Sequence, residues 1–333
     1  MPRTLKTLLR VLGALIVLLF AAKIVADLRY FGNYDPAVPF NAVVEHTQRV
    51  DDVQEVFGTQ RPRRYQRFVA TFESRPGERV PTLITLPAEF SGKLPVIVFL
   101  HGMGQDKGFL DEITFPFNDA GFAMACFDQH SQGERRIEGG GLAQVIAFRK
   151  RPAKTVNDAR RLIDFLQTRP EIDPERVYLI GASFGAITGS TVVAFDKRIK
   201  AAVLVVGGGD LSILLDAPYI RQELPPLLYA LATPLVRFIM RPADPIHYAA
   251  DTAPTPLLFQ NGDQDVLVTP AAGKALYAAA GEPKEIRWYP CDHPGLREED
   301  NPIILQILDE ARDWLLERDQ AYRDLDGNRV PAE

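Results

Sequence analysis

The 333-residue chain has only two cysteines, Cys126 and Cys291, and neither stands in a CxxC or Cys/His ligand pattern. That spacing speaks against a structural metal and leaves two buried thiols as the simplest reading. Beyond the first ten residues no basic patch stands out, and the net charge is −5, which speaks against a nucleic-acid partner. There is no internal repeat and no low-complexity tract. No uninterrupted uncharged run reaches the about 20 residues that a bilayer span needs. The chain itself is 46% hydrophobic and 24% charged, an ordinary globular composition with length enough for a sizeable core.

Residues 1–28 come nearest to a membrane segment. Arg3, Lys6 and Arg10 precede the uncharged run 11–22; Lys23 interrupts it, and Ile24-Val-Ala26 continues it. With Lys23 snorkelling towards headgroups, Leu8 to Leu28 becomes long enough to span. A basic flank before an apolar segment is an export or insertion signal. No small-x-small cleavage site follows, and no cysteine is present for lipid attachment. The expectation is an uncleaved N-terminal membrane anchor helix, the positive flank cytoplasmic and the body of the chain extracytoplasmic. A cleaved signal peptide with a secreted product, or a peripheral or buried helix, are the alternatives. Residues 29–61 read as a stem, with a helix over 41–57, and His46 as a solvated or packing residue.

From residue 62 the pattern becomes strand-like. Arg64–Glu73 alternates, a Pro76-Gly77 turn follows, and 80–86 completes a hairpin. Apolar runs at 95–100, 121–127, 177–182, 201–206, 256–261 and 285–289 read as buried strands. Helical spacing marks 155–167, and Asn301-Pro302 opens a last helix to about residue 318. Strands that alternate with helices imply a mostly parallel, eight-stranded α/β sheet with helices on both faces. Sites on such sheets gather at the carboxyl ends of the strands. About fifty residues between Val206 and Pro256 break the alternation, rich in Leu, Ile, Tyr, Phe and Pro. They read as a helical lid at about 208–250 lining an apolar acyl pocket, or as a long packed connection. Residues 321–333 read as a tail.

The run 177–187 carries the chemistry. Four apolar strand residues enter Gly181-Ala-Ser183-Phe-Gly185, and a helix-compatible stretch follows. Strand, sharp turn and helix in that order hold a serine above a sheet end, with only small neighbours beside it. Serine is a poor nucleophile at neutral pH. It needs a base, and the base needs an acid to orient it. Of five histidines, His293 alone lies between the last strand and the last helix. Among Asp263, Asp265, Asp210 and Asp292, Asp265 is the choice for the acid, with Asp263 as a turn residue and Asp210 as second line. An acyl-transfer site also needs oxyanion donors. The Phe184 amide is one; the Met103 amide, flanked by Gly102 and Gly104, is the other. His101, Gly102, Gly104 and Asp210 are candidates for the substrate pocket, His101 with a structural part in its turn.

Taken together, 95–102 ending in His101-Gly102, Asp128-Gln-His-Ser-Gln-Gly133, Asn157-Asp158 with Asp173-Pro174, Gly181–Gly185, Gly262–Asp265 and His293 resemble the α/β-hydrolase superfamily over roughly residues 62–320. Within it the chain is similar to the dienelactone hydrolase, acetyl xylan esterase and prolyl-oligopeptidase-like branch. The resemblance implies a serine hydrolase with its triad on Ser183, Asp265 and His293, acting on a small-molecule ester without metal or organic cofactor. A peptidase or amidase with the same triad, and a non-catalytic membrane-tethered binding protein, are the other readings. One departure stands out: after Asp128 the chain reads Gln-His-Ser-Gln-Gly where many relatives carry Arg-Gly-x-Gly.

Overall fold

The computed structural model describes residues 3–327. Nine strands form one sheet: β1 (Val43–Val56), β2 (Thr59–Arg75), β3 (Glu78–Pro87), β4 (Leu94–Leu100), β5 (Ala123–Phe127), β6 (Ile172–Ala182), β7 (Ile199–Val205), β8 (Leu257–Gly262) and β9 (Lys284–Tyr289). Among the described residues ten α-helices accompany them: α1 (Arg3–Leu28), α2 (Leu110–Ile113), α3 (Phe115–Asp119), α4 (Gly141–Gln167), α5 (Phe184–Phe195), α6 (Leu211–Leu215), α7 (Pro218–Glu223), α8 (Pro226–Met240), α9 (Pro270–Ala279) and α10 (Asn301–Gly327). Spatial order is β1-β2-β3-β5-β4-β6-β7-β8-β9. Pairings from β1 to β3, and of β3 with β5, are antiparallel; all later ones are parallel.

The parallel strands are apolar throughout because both their faces are covered. Every residue of β4 and β5 is buried. On one face lie α4 and α5, where Val156, Leu162 and Ile163 pack under Val98 and Leu179. On the other lie α2, α3 and α10, where Phe117, Ile307 and Leu315 pack under Ile97 and Tyr178. From β4 the chain passes to β5 on one side and then returns to β6 on the other. The loops after β4 and β6 therefore diverge, and open a crevice at their carboxyl ends.

Five expectations are corrected. Residues 41–57 form no helix; 43–56 is the edge strand β1, and the sheet has nine strands rather than eight. Apolar Val50, Val53 and Val56 recur every third residue and mimic a helix, but pairing with β2 from Val43↔Thr71 to Val56↔Thr59 satisfies the backbone instead. Helix α4 begins at Gly141, not near 155, and carries Pro152 inside it. The membrane-spanning reading of 1–28 is not supported: among the described residues no helix is long and apolar enough to cross a membrane. Lys23 does not reach for headgroups. It pairs with Asp27 one turn on and lies 4.6 Å over the Phe238 ring, while Phe20 meets Phe238 edge-on at 5.9 Å. Helix α1 thus leans on α8. The last helix outruns its expected end near 318 and continues to Gly327, and the tail residues 328–333 lie outside the described residues.

Candidate active site

Ser183 sits at the bend between β6 and α5 with φ 53° and ψ −118°. A left-handed φ is costly for a non-glycine residue, and here it lifts the side chain off the sheet end. The turn is possible because the residues two before and two after it lack side chains. A Cβ on Gly185 would lie 1.8 Å from the Leu100 carbonyl oxygen, and one on Gly181 would lie 2.3 Å from that of Gly185. Ser183 N donates to Val205 O at 2.9 Å, which extends the β6–β7 ladder through the serine itself.

His293 Nε2 stands 2.9 Å from Ser183 Oγ, and His293 Nδ1 stands 2.7 Å from Asp265 Oδ2. The structure therefore brings together three residues separated by up to 110 positions. Both the acid and the imidazole are buried. The other oxygen of Asp265 accepts from the amides of Leu267 (2.8 Å) and Val268 (2.7 Å), so the carboxylate cannot rotate freely. Asp292 plays a different part. Burial opposes its ionisation, but the amides of Val266 and His293 and the Arg297 guanidinium outweigh that and hold its carboxyl below the usual range. It ties the loop that carries His293. Asp263 is exposed and faces away, its amide closing the turn on Tyr289 O. Burial, with nearby carboxylates, pushes the Cys291 thiol up to about 11, so it stays protonated next to the histidine.

The loop after β4 lies against this group. Gly102 N donates to Gln105 Oε1 (2.9 Å) and Gly104 N to Gln132 Oε1 (2.8 Å). The Met103 amide between them, and the Phe184 amide after the serine, have no acceptor among the described residues. A Cβ on Gly102 would sit 3.5 Å from Ser183 Cβ, an ordinary packing distance, so this loop lies directly against the serine. His101 lies beneath, fully buried; its Nδ1 meets Gly102 O at 2.8 Å, and burial lowers its pKa and keeps the ring neutral.

Sequence reasoning missed the residues that shape this loop. Gln129 donates to His101 O at 2.7 Å and Gln132 accepts from Gly104, both from the segment where the chain departs from the Arg-Gly-x-Gly pattern. Ser131 of that segment is held by Arg151. Asp128 accepts from the Lys107 amide and ammonium and from the Glu134 amide, fixing the two loops together. The departure is thus a local scaffold of glutamines, invisible from spacing because its partners lie in another loop.

A cavity of about 320 Å³ opens beside Ser183. Its walls come from Phe99 and Ile180 on the strands, Phe109 and Ile113 around α2, and Ile304, Ile307 and Leu308 on α10, with Phe57 from the β1–β2 turn. Apart from Gln105, Ser183 and His293, the lining side chains are apolar. Gly102 and Met103 are among the lining residues; His101, Gly104 and Asp210 are not. Asp210 instead caps α6, accepting from Ser212 N at 2.8 Å. Segment 208–250 does form three α-helices, but none of its residues lines this cavity. The wall expected from that segment is supplied by α10 on the opposite sheet face. Pairs of apolar residues four apart at 303–304 and 307–308, ten residues after His293, were the signal for it.

The model described as "Alpha/beta hydrolase family" matches residues 97–331. The chain is 25% identical over 150 residues to the Bacillus subtilis protein YtaP, covering 38% of this chain and 48% of that one. It is 32% identical over 114 residues to the thiohydrolase apmlB of Arthrinium phaeospermum, covering 34% and 35%. It therefore matches less than half the length of these curated relatives. An acetyl xylan esterase from a Paenibacillus species superposes with a TM-score of 0.64 at 19% identity, over 85% of this chain and 93% of that one. Acetyl xylan esterase 1 from a Thermoanaerobacterium species gives 0.63 at 18%, over 86% and 93%. At such identities the likeness is one of fold.

Proposed function

The chain belongs to the alpha/beta hydrolase family, and from that premise we propose a serine hydrolase that cleaves carboxylic esters through an acyl-enzyme. The observation that carries this is the chain of contacts from Asp265 through His293 to Ser183 at the mouth of an apolar cavity. In the proposed reaction His293 Nε2 takes the Ser183 proton as Oγ bonds to the acyl carbon. The amides of Met103 and Phe184 receive the carbonyl oxygen as it gains negative charge. His293 then returns the proton to the departing alkoxide. Water, deprotonated by the same nitrogen, repeats the attack and frees the acid and the serine. Asp265 keeps the proton of the neutral imidazole on Nδ1 and stabilises the imidazolium.

The uncharged walls favour an apolar acyl group over a peptide, whose backbone would need polar partners there. At about 320 Å³ the cavity lies at the small end of ligand clefts, which run from roughly 300 to 1,000 Å³. The same geometry serves a thioester, the linkage suggested by the name of the thiohydrolase relative. A fluorophosphonate probe tests the nucleophile. Wild type should be labelled and Ser183→Ala should not, with its thermal midpoint kept; labelling of the variant would refute the assignment. A panel of p-nitrophenyl esters, thioesters and aminoacyl amides then orders the substrate classes.

We also propose that α1 holds the protein at a membrane, with the catalytic body extracytoplasmic. What supports it is the basic flank in the sequence and the exposed Leu15, Leu18, Ile24 and Leu28. Fractionation of the full chain against one lacking residues 1–28, with protease accessibility in intact cells, tests both parts.

A further inference from the structure

A second cavity, of about 260 Å³, lies away from the serine where the end of α1, the β2–β3 turn and α4 meet. Its wall carries Arg29, Arg75, Arg149, Lys150 and Lys154, against a single carboxylate, Glu78. Lys154 is paired with Glu78 at 2.8 Å, and Arg149 reaches Asp27 at 3.5 Å. Among the described residues Arg29, Arg75 and Lys150 have no carboxylate partner. Three of the five cations are thus left without a carboxylate in one cleft. Like charges in one cleft repel, and the arrangement is favourable when an anion fills it.

The site is built rather than a chance cluster of long side chains. Tyr30 donates to Arg149 O at 2.7 Å, and Asn157 Nδ2 donates to Phe31 O at 2.6 Å. Phe31 is wedged edge-on between Phe195 (4.8 Å) and Tyr248 (5.3 Å). These contacts pin the segment after α1 to α4. Burial raises the Tyr30 phenol, which stays neutral and offsets none of the positive charge. Gly32 has φ +66°, a conformation that favours glycine, and it lies against Arg75, where a Cβ would meet Nη2 at 3.5 Å.

We infer that this cavity binds a phosphate group. Guanidinium forks match phosphate oxygens in pairs, and lysine ammonium adds charge without a fixed direction. The source that fits best is an anionic phospholipid headgroup. Immediately before Arg29, α1 exposes Ile24, Val25 and Leu28, the last 82% exposed, giving an apolar track that ends at a phosphate-sized cationic pocket. The inference does not depend on the esterase reading.

The test uses the full chain and two probes, glycerol 3-phosphate by calorimetry and vesicles of phosphatidylglycerol or phosphatidylcholine by co-sedimentation. The variant is Arg75→Gln with Lys150→Gln; the control, Arg64→Gln with Lys93→Gln, removes the same charge elsewhere. Neither pair lies at the serine, so hydrolysis of a soluble short-chain ester should be unchanged in both, and thermal melting checks folding. Wild type and control should bind phosphatidylglycerol vesicles at least tenfold more tightly than the pocket variant, with little binding to phosphatidylcholine. Saturable glycerol 3-phosphate binding lost in the pocket variant, with vesicle binding equal in all three, would keep the phosphate site and make its ligand a soluble metabolite. Binding of both probes that is equal in the pocket variant and the control, or no saturable binding of either by wild type, overturns the inference.

Discussion

Asp265→Asn is the sharpest test of the triad, because the outcome follows from which oxygen the backbone holds. One carboxylate oxygen accepts two amides, from Leu267 and Val268; the other faces His293 Nδ1 at 2.7 Å. In the asparagine variant the amide oxygen must stay with the two backbone donors. Turning the amide over would bring its NH2 against both and leave them unpaired, at about 1–3 kcal/mol each. The NH2 group therefore points at Nδ1, which must then accept, and the imidazole proton moves to Nε2. Nε2 faces Ser183 Oγ and can no longer take its proton. The expected loss in kcat is about 10⁴-fold, the scale of a triad held in the wrong tautomer, or about 5.5 kcal/mol of barrier. Turnover of a p-nitrophenyl ester measures the loss, with the thermal midpoint and KM checking that fold and cavity persist. A rate within tenfold of wild type would refute the reasoning, and a larger loss from Asp292→Asn than from Asp265→Asn would reassign the acid.

Three further outcomes are expected. Ile304→Trp should narrow the cavity from the α10 side and cut kcat/KM for long-chain esters at least tenfold while sparing the acetate ester; equal loss across a chain-length series would place the acyl group elsewhere. Gly185→Ala should cost at least about 4 kcal/mol, because the new Cβ meets the Leu100 backbone at 1.8 Å and backbone cannot step aside; urea unfolding measures it, and a cost under 1 kcal/mol would contradict the packed turn. Acid should weaken the fold through His130. Burial, with Lys154 and Arg135 beside it, lowers His130 from 6.5 to about 4. The unfolded chain therefore binds the extra proton between those values, and the stability contributed above pH 6.5 is lost as the pH falls towards 4. The melting midpoint should drop across that window, less steeply in His130→Asn; an unchanged slope would remove His130 from the account.

What was legible in the sequence was whatever has a short-range signature. The central strands announce themselves as apolar runs because they are covered on both faces; β4, β7 and β8 fall within two residues of their expected ends, and β6 ends where expected but starts five residues earlier. Ser183 and His293 were legible because a sharp turn needs Gly181 and Gly185, and because each follows a strand. The failures share a cause. Strand β1 is an exposed edge, so burial left no alternation in it and only its partner β2 decides its conformation. The cavity wall comes from α10 and the β1–β2 turn, which are far apart in the chain. The glutamines around His101 and Gly104 act across loops, and the basic pocket joins residue 29 to residue 154. Such sites exist only once the chain is folded.

The segment after α1 is short and heavily fastened. Tyr30 and Phe31 are tied to α4, and Phe31 packs on Phe195, the last residue of the helix that starts beside Ser183. It is therefore a rigid handle and not a leash. Whatever grips α1 also sets the tilt of the catalytic body and the direction its mouth faces. Lengthening the linker would alter how substrate is presented without touching a single residue of the reaction.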